Sequence, residues 1–425
     1  MKPIINGKDQ QITVGLDIGS FNIKCAIGEI IYDKQRVKLL GVSSVKSNGI
    51  RRGSITNRDQ LIQQLEIALQ EAEIMANIKV SNIILSLTGE HIRSLNTQAA
   101  IALNRNNGTP GRINERPIYE DDIYQVLDQA QAVSLPVDRD ILHTLPQEYL
   151  VDTLEKINNP IGMTGRRLEA HVHLITAATT AMNNLVGCVE ELGITVDGLV
   201  FQPLASGIAT LKKDEMDLGV TLVEIGSSTT NISVYNNQSV RHSGVIPIGA
   251  SIITNDIAVM LQISIEEAEK IKIKYASSLS SLSSPKLEIT LPSSTGKSKR
   301  SITEQEVSKY VEARINEIFQ MIIREVSRAN IKDPLTYGMV LTGGGSLMRN
   351  IIPLAEKSIG VQVRQGIPHK IDGIQNFANS SDYSTVMGLL LWPLYSTDHV
   401  RIGRNRPKNI KNILKNIKHT IENLF

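Results

Sequence analysis

Two stretches of this chain repeat the same alternation of apolar and polar positions around the same short turn. The first is Ile12-Thr-Val-Gly-Leu-Asp17-Ile-Gly19-Ser20-Phe-Asn22-Ile-Lys24-Cys-Ala-Ile-Gly-Glu29. The second is Val220-Thr-Leu-Val-Glu224-Ile-Gly226-Ser227-Ser228-Thr229-Thr-Asn-Ile-Ser-Val-Tyr235. In each, a β-branched apolar run ends in an acid, Ile, Gly and Ser, and a second alternating run follows. This predicts two β-hairpins with tight turns. A third feature is Gly338-Met-Val-Leu-Thr342-Gly343-Gly344-Gly345-Ser-Leu-Met, read as a short buried strand, three glycines and a helix.

Between these landmarks the period changes. Val37–Val45 reads as a strand, and Asn57 as the cap of a helix to about Asn77 with Leu61, Leu65, Ala68, Leu69 and Ala72 on one face. Asn82–Leu87 reads as a buried strand, and the β-β-β-α-β order suits an α/β domain. From about 88 to 168 the character shifts to a strand at Thr97–Leu103, a Gly/Pro loop, a helix at Glu120–Val133 and strands around Arg139–Leu154. This predicts a small α+β insertion. In the strand Leu168–Ile175, His171 and His173 share a face, but no further ligands at metal-binding spacing lie nearby. Helices are expected at Thr179–Leu192, from Gln202 with Pro203 in its first turn, at Ile252–Met260, Ile265–Tyr275 and Glu304–Asn330. The serine-rich run Ser277–Ser284 reads as an exposed low-complexity loop.

The chemistry suggested by the turns is phosphate binding. Gly19 and Gly226 allow close backbone approach to a ligand. The Ser, Thr and Asn groups beside them suit phosphate oxygens. Asp17 and Glu224 end their strands where they could hold Mg²⁺, mostly through water. Composition adds little: the chain of 425 residues is long enough for several domains, and its two cysteines, Cys25 and Cys188, read as reduced core residues of a cytosolic protein. No apolar run approaches a membrane span. The net charge of +2 conceals a tail of +5 from residue 404 onward and a mildly acidic body, which gives no reason to expect nucleic-acid binding.

The three turns, in this order, resemble the phosphate-1, phosphate-2 and adenosine motifs of the actin/Hsp70/hexokinase ATPase superfamily. Further stretches resemble one bacterial branch, the FtsA family of cell-division proteins: Ile141-Leu-His-Thr-Leu-Pro-Gln-Glu-Tyr149, Asn159-Pro-Ile-Gly-Met-Thr-Gly165, Arg241-His-Ser-Gly-Val-Ile-Pro247 and Tyr383-Ser-Thr-Val-Met-Gly-Leu-Leu390. The resemblance implies a two-lobed actin-like α/β fold with an inserted α+β subdomain in the first lobe. Its expected divisions are lobe 1 at 1–87 and 169–201, the insertion at 88–168, lobe 2 at 202–250 and 333–395, and a small subdomain at 251–332. A basic linker at 396–408 and a terminal helix at 409–425 would follow. It also implies ATP and Mg²⁺ in the cleft, with Asp17 as the metal-water acid, Lys24 on phosphate, Gln202 orienting water, Glu269 and Lys272 at the ribose and adenine, and Gly343, Gly344 and Gly345 as the adenosine floor. The second turn departs from the family's usual Asp-Ile-Gly-Gly-Gly-Thr. Glu224, Ser227 and Ser228 stand where Asp and two glycines are usual, which predicts ATP binding with slow hydrolysis at most.

In the tail, Ile410, Ile413, Leu414, Ile417, Ile421, Leu424 and Phe425 fall within an arc of roughly 120° on a helical wheel. Lys411, Lys415 and Lys418 flank that arc, the pattern of a helix lying on an anionic membrane; a calmodulin-type target helix fits it too. By the resemblance, the protein would polymerise and attach to the cytoplasmic face of the plasma membrane at the division septum. There it would hold the C-terminal tail of FtsZ and meet other divisome proteins. Lys297, Lys299 and Arg300 are candidate FtsZ contacts. A sugar or metabolite kinase, or a pilus or cell-shape homologue, remains the alternative reading.

Overall fold

The computed structural model describes residues 11–103, 116–291, 300–331 and 334–395. The first repeat forms the hairpin Ile12–Ile18 and Asn22–Ile31, antiparallel, with Asp17 opposite Lys24. Arg36–Lys46 adds to it, and Asn82–Leu87 lies parallel to Ile12–Ile18 on the other side. The six-stranded sheet is completed by Thr195–Phe201 and the short Ile371–Gly373. The helix Arg58–Ala76 covers one face; Asn57 caps it by accepting from the Gln60 amide at 3.1 Å.

The second repeat builds the other lobe in the same way. Val220–Ile225 and Thr230–Asn236 pair antiparallel, Ser239–Ile246 extends the hairpin, and Met339–Thr342 and Val363–Gln365 add in parallel to give five strands. Two helices join the lobes. Gln202–Thr210 and Ser384–Tyr395 pack against each other at Gly388, and an apolar core shared by both sheets surrounds them. A separate core lies under Ser251–Leu261, Ile265–Tyr275 and the long helix Glu304–Ser327, which starts with a capping box between Thr303 and Glu306.

The insertion is a four-stranded antiparallel sheet with the helix Glu120–Gln131 against it and its own apolar core. Its strand Arg167–Ala178 pairs with Arg93–Ala102 and Arg139–Val151 inside this sheet, so the insertion extends about ten residues past the expected end at 168. The sheet meets lobe 2 at the edge strand Ser239–Ile246 through polar groups. Gln147 donates to the Val240 carbonyl at 2.8 Å, and Ser94 to the Ser243 carbonyl at 2.6 Å. His173 is buried there, with Nδ1 2.6 Å from Asn96 Oδ1 and Nε2 2.8 Å from Ser243 Oγ. His171 faces Glu148 and Glu169 instead, so the two histidines hold structural partners.

Two local expectations need correction. Ser277, Ser278 and Ser283 are buried rather than exposed. Ser308 explains this: its Oγ accepts from the Ser277 amide at 3.1 Å and the Ser283 hydroxyl at 2.8 Å, while Ser278 N donates to the Arg349 carbonyl at 2.8 Å. The glycine triplet is not followed at once by an α-helix. A single 3-10 turn spans Gly344–Leu347, and the helix Ile351–Ile359 starts only after Asn350 takes a left-handed conformation.

Candidate functional site

The two acid–Gly turns close in the same way. Gly19 N donates to Asn22 O at 3.1 Å, and Gly226 N to Thr229 O at 2.9 Å. A β-carbon on Gly19 would sit 2.7 Å from Asn22 O and one on Gly226 3.0 Å from Thr229 O, so both turns leave little room for any other residue. The turns also touch each other. Ser228 Oγ accepts from the Arg52 amide at 3.0 Å and lies 2.7 Å from Ser20 Oγ, which bridges the lobes.

Beneath the turns runs a directed chain of hydrogen bonds. Thr88 Oγ1 donates to Asn231 Oδ1 at 2.6 Å, Asn231 Nδ2 to Gln202 Oε1 at 3.0 Å, and Gln202 Nε2 to Asp17 Oδ1 at 2.6 Å. Ser86 Oγ donates to the same Asp17 oxygen at 2.6 Å. An ionised Asp17 only accepts, so Gln202 must turn its NH₂ toward it, and that choice fixes Asn231 in turn. Burial pushes the Asp17 carboxyl above its ordinary range, against the pull of Ser86, Lys24 and Gln202.

Glu224 is buried on the opposite strand. Thr385 donates to one of its oxygens and Ser206 to the other at 3.3 Å. Burial, helped by the charge of Asp17, lifts its carboxyl to about 7. Two buried acids, both raised by burial and one further by the other's charge, are a donor set that a divalent cation would relax, and this chemistry fits Mg²⁺ held mostly through water and phosphate. Among the described residues no cluster of three or more His, Cys, Asp or Glu forms a metal cage of its own.

The other expected contacts are spread around this centre. Lys24 Nζ lies 2.9 Å from Asp382 Oδ2, also donates to the Asp382 carbonyl, and sits 4.1 Å from the centre of the Tyr383 ring. Glu269 and Lys272 pair with each other at 2.7 Å, and both bond Thr254 of the neighbouring helix. The three glycines differ in kind. Gly343 has φ +81° and meets Ile225 O, and a β-carbon on Gly345 would lie 2.3 Å from Ile225 Cγ2. Of the three, only Gly344 has room for a side chain: a β-carbon there would meet only Asp382 Cβ, at 3.9 Å. Arg300 donates to the Leu261 carbonyl at 2.9 Å; Lys297, Lys299 and the tail residues lie outside the described residues.

The FtsA model "Cell division protein FtsA" matches residues 221–388, and the model of the SHS2 domain inserted in FtsA matches 89–176. The FtsA of Pseudomonas aeruginosa is 37% identical over 394 residues, covering 93% of this chain and 91% of its own. This chain belongs to the FtsA family. The FtsA of Escherichia coli K12 is 32% identical over 91% of each chain. Solved structures show the actin-like fold expected of an FtsA protein. A PilM-PilN type IV pilus biogenesis complex aligns at TM-score 0.64 and 15% identity, covering 89% of this chain and 97% of that one. MreB5 of Spiroplasma citri bound to ADP aligns at 0.54 and 12% identity, covering 90% and 96%.

The repeated pattern brought Asp17, Glu224 and the two turns into view, and the resemblance added Gln202. Ser86, Thr88, Asn231, Ser206, Thr385 and Asp382 were missed as site residues. Asn231 and Thr385 lay inside stretches already singled out, and their polar side chains on otherwise apolar elements were the available signal.

Proposed function

We propose that this FtsA-family protein binds ATP with Mg²⁺ between its lobes and polymerises. Through residues 409–425 it would tether FtsZ filaments to the cytoplasmic face of the plasma membrane at the division septum. The observation that carries the nucleotide reading is the meeting of both acid–Gly turns over one buried polar chain, from Thr88 to Asp17, with Glu224 facing it. Asp17 and Glu224 would hold the metal through water, and the bound metal would offset part of the charge of the triphosphate and of both acids. Gln202 is locked by Asn231 in the orientation that presents its NH₂ inward, so it positions whatever lies beside Asp17. Glu269, Lys272 and Gly344 would line the nucleoside end.

Slow turnover at most is the expected enzymology. Ser228 ties the second turn to Ser20 and Arg52, and Glu224 is held by Thr385 and Ser206, so neither is free to follow a moving phosphoryl group. Among the described residues no helix is long and apolar enough to cross a membrane, so attachment would fall to the cationic apolar tail. The FtsZ tail, other divisome proteins, further copies of this chain and anionic lipid are the proposed partners, with Lys297, Lys299 and Arg300 as candidate FtsZ contacts.

Co-sedimentation with FtsZ, anionic vesicles and ATP, each omitted in turn, tests this. FtsZ should reach the vesicle pellet only with the full chain present, and ATP should increase that recovery. Vesicle binding retained after truncation behind Pro407 would refute the anchor. Failure of the full chain to bind ATP in calorimetry would refute the nucleotide reading.

A further inference from the structure

The side chain expected on phosphate is committed to another part of the chain. Lys24 is 8% exposed, and its ammonium has three partners: the Asp382 carboxylate at 2.9 Å, the Asp382 carbonyl, and the Tyr383 ring. All belong to one short segment just ahead of the Ser384–Tyr395 helix. The other two turns grip the same segment. Gly343 N donates to Ser381 O at 3.1 Å, Thr342 Oγ1 lies 2.6 Å from Ser384 Oγ, and Thr385 bonds Glu224. Ser380 steadies the Asp382 carboxylate from the other side. Thus Lys24, Glu224 and the Thr342–Gly343 strand end each place a group on residues 381–385.

We propose that Asp382 is an internal competitor for Lys24: an incoming nucleoside triphosphate takes the ammonium from Asp382 and so loosens Asp382 and Tyr383, while Ser381, Ser384 and Thr385 stay held by Gly343, Thr342 and Glu224. The inference rests on the nucleotide reading above. A carboxylate and a phosphate oxygen offer Lys24 the same charge-assisted hydrogen bond, and one ammonium with its remaining sides against Tyr383 and the Asp382 carbonyl serves one such anion at a time. Asp382 therefore lowers affinity for the triphosphate.

Calorimetric titration of the full chain with Mg-ATP, with hydrogen exchange on the same samples, tests the exchange. Asp382→Asn keeps the shape but removes the charge, and should bind ATP about tenfold more tightly than wild type. In wild type, ATP should speed amide exchange at positions 382 and 383; in Asp382→Asn that exchange should be fast before ATP is added. Ser380→Ala, which only loosens the carboxylate, should give a smaller gain, and it carries the test should Asp382→Asn fail to fold. Equal or weaker ATP binding by both variants overturns the proposal, as does wild-type exchange indifferent to ATP. No ATP binding by wild type overturns the nucleotide reading as well, so the two failures are told apart.

Discussion

The glycine triplet should split into two classes when each member is changed to alanine. A β-carbon on Gly345 would lie 2.3 Å from Ile225 Cγ2, 2.9 Å from its Cβ and 3.0 Å from its carbonyl oxygen. Ile225 ends a central strand and is buried, so neither it nor the 3-10 turn yields cheaply. Overpacking of this kind costs about 1–3 kcal/mol. Gly343 combines φ +81° with a β-carbon contact of 2.7 Å to Ile225 O, so its alanine adds backbone strain of about 1–2 kcal/mol to the clash. Gly344 meets only Asp382 Cβ at 3.9 Å, an ordinary contact, and its alanine should leave stability within about 0.5 kcal/mol of wild type. Urea unfolding measures the three values, and calorimetric ATP titration of the folded variants supplies the second axis. Gly344→Ala should stay folded yet lose ATP affinity at least about tenfold, because its methyl would occupy the proposed ledge. Equal destabilisation by Gly344→Ala and Gly345→Ala would refute the division, and unaltered ATP binding by Gly344→Ala would remove the ledge.

Glu224 should make stability depend on pH. Its folded carboxyl lies at about 7 against an ordinary 4.5, so the neutral form's contribution is full below 4.5 and is lost as pH rises through about 7. Glu224→Gln escapes this loss and should gain about 3 kcal/mol on wild type between about pH 4 and pH 8 in urea unfolding; a constant difference would show that the carboxyl is not so raised. Asp17, also raised by burial, steepens the wild-type decline in the same direction. Ser308→Ala should cost about 1–3 kcal/mol in the same assay, since it strands the buried Ser277 amide and removes the partner of Ser283. A loss near zero would mean that water replaces the hydroxyl.

What could be read from the sequence was local. The alternation in each repeat specified the hairpins, and Asp17 and Lys24 face each other because a tight turn sets their register. Asn57 announced its helix because a capping side chain acts within three residues. The rest depends on topology. Ser86 reaches Asp17 because Asn82–Leu87 joins Ile12–Ile18 in parallel, a pairing that no local pattern encodes. Asp382 reaches Lys24 from the far end of the chain. The buried serines near 277 show the same limit: composition records that hydroxyls are present, whereas their burial depends on Ser308 on a distant helix. The glycine triplet was read by its possible ligand, but at two of its three positions the demand comes from Ile225.

The distribution of contacts between the lobes implies where the molecule can move. Away from the base of the cleft the lobes meet through polar contacts, Ser20 and Arg52 to Ser228, Thr88 to Asn231, and the insertion's Gln147, Ser94 and His173 to Ser239–Ile246, each worth about 1 kcal/mol net. At its base, Leu16, Leu204, Leu222, Val340 and Leu389 share one apolar core, where a single large truncation costs about 2–5 kcal/mol. Parting these polar contacts one at a time is therefore cheaper than separating the base, so the Gln202–Thr210 and Ser384–Tyr395 helices act as the pivot. Gly388 is what lets these helices meet, for a β-carbon there would lie 1.8 Å from the Ala205 carbonyl oxygen, which is backbone and cannot rotate aside. Gly388→Ala should cost about 3 kcal/mol or more in urea unfolding, while Ser228→Ala should cost about 1 kcal/mol and mainly quicken amide exchange at Arg52. A Gly388→Ala chain as stable as wild type would place the pivot elsewhere, because the helices would then have slack that their backbones do not show.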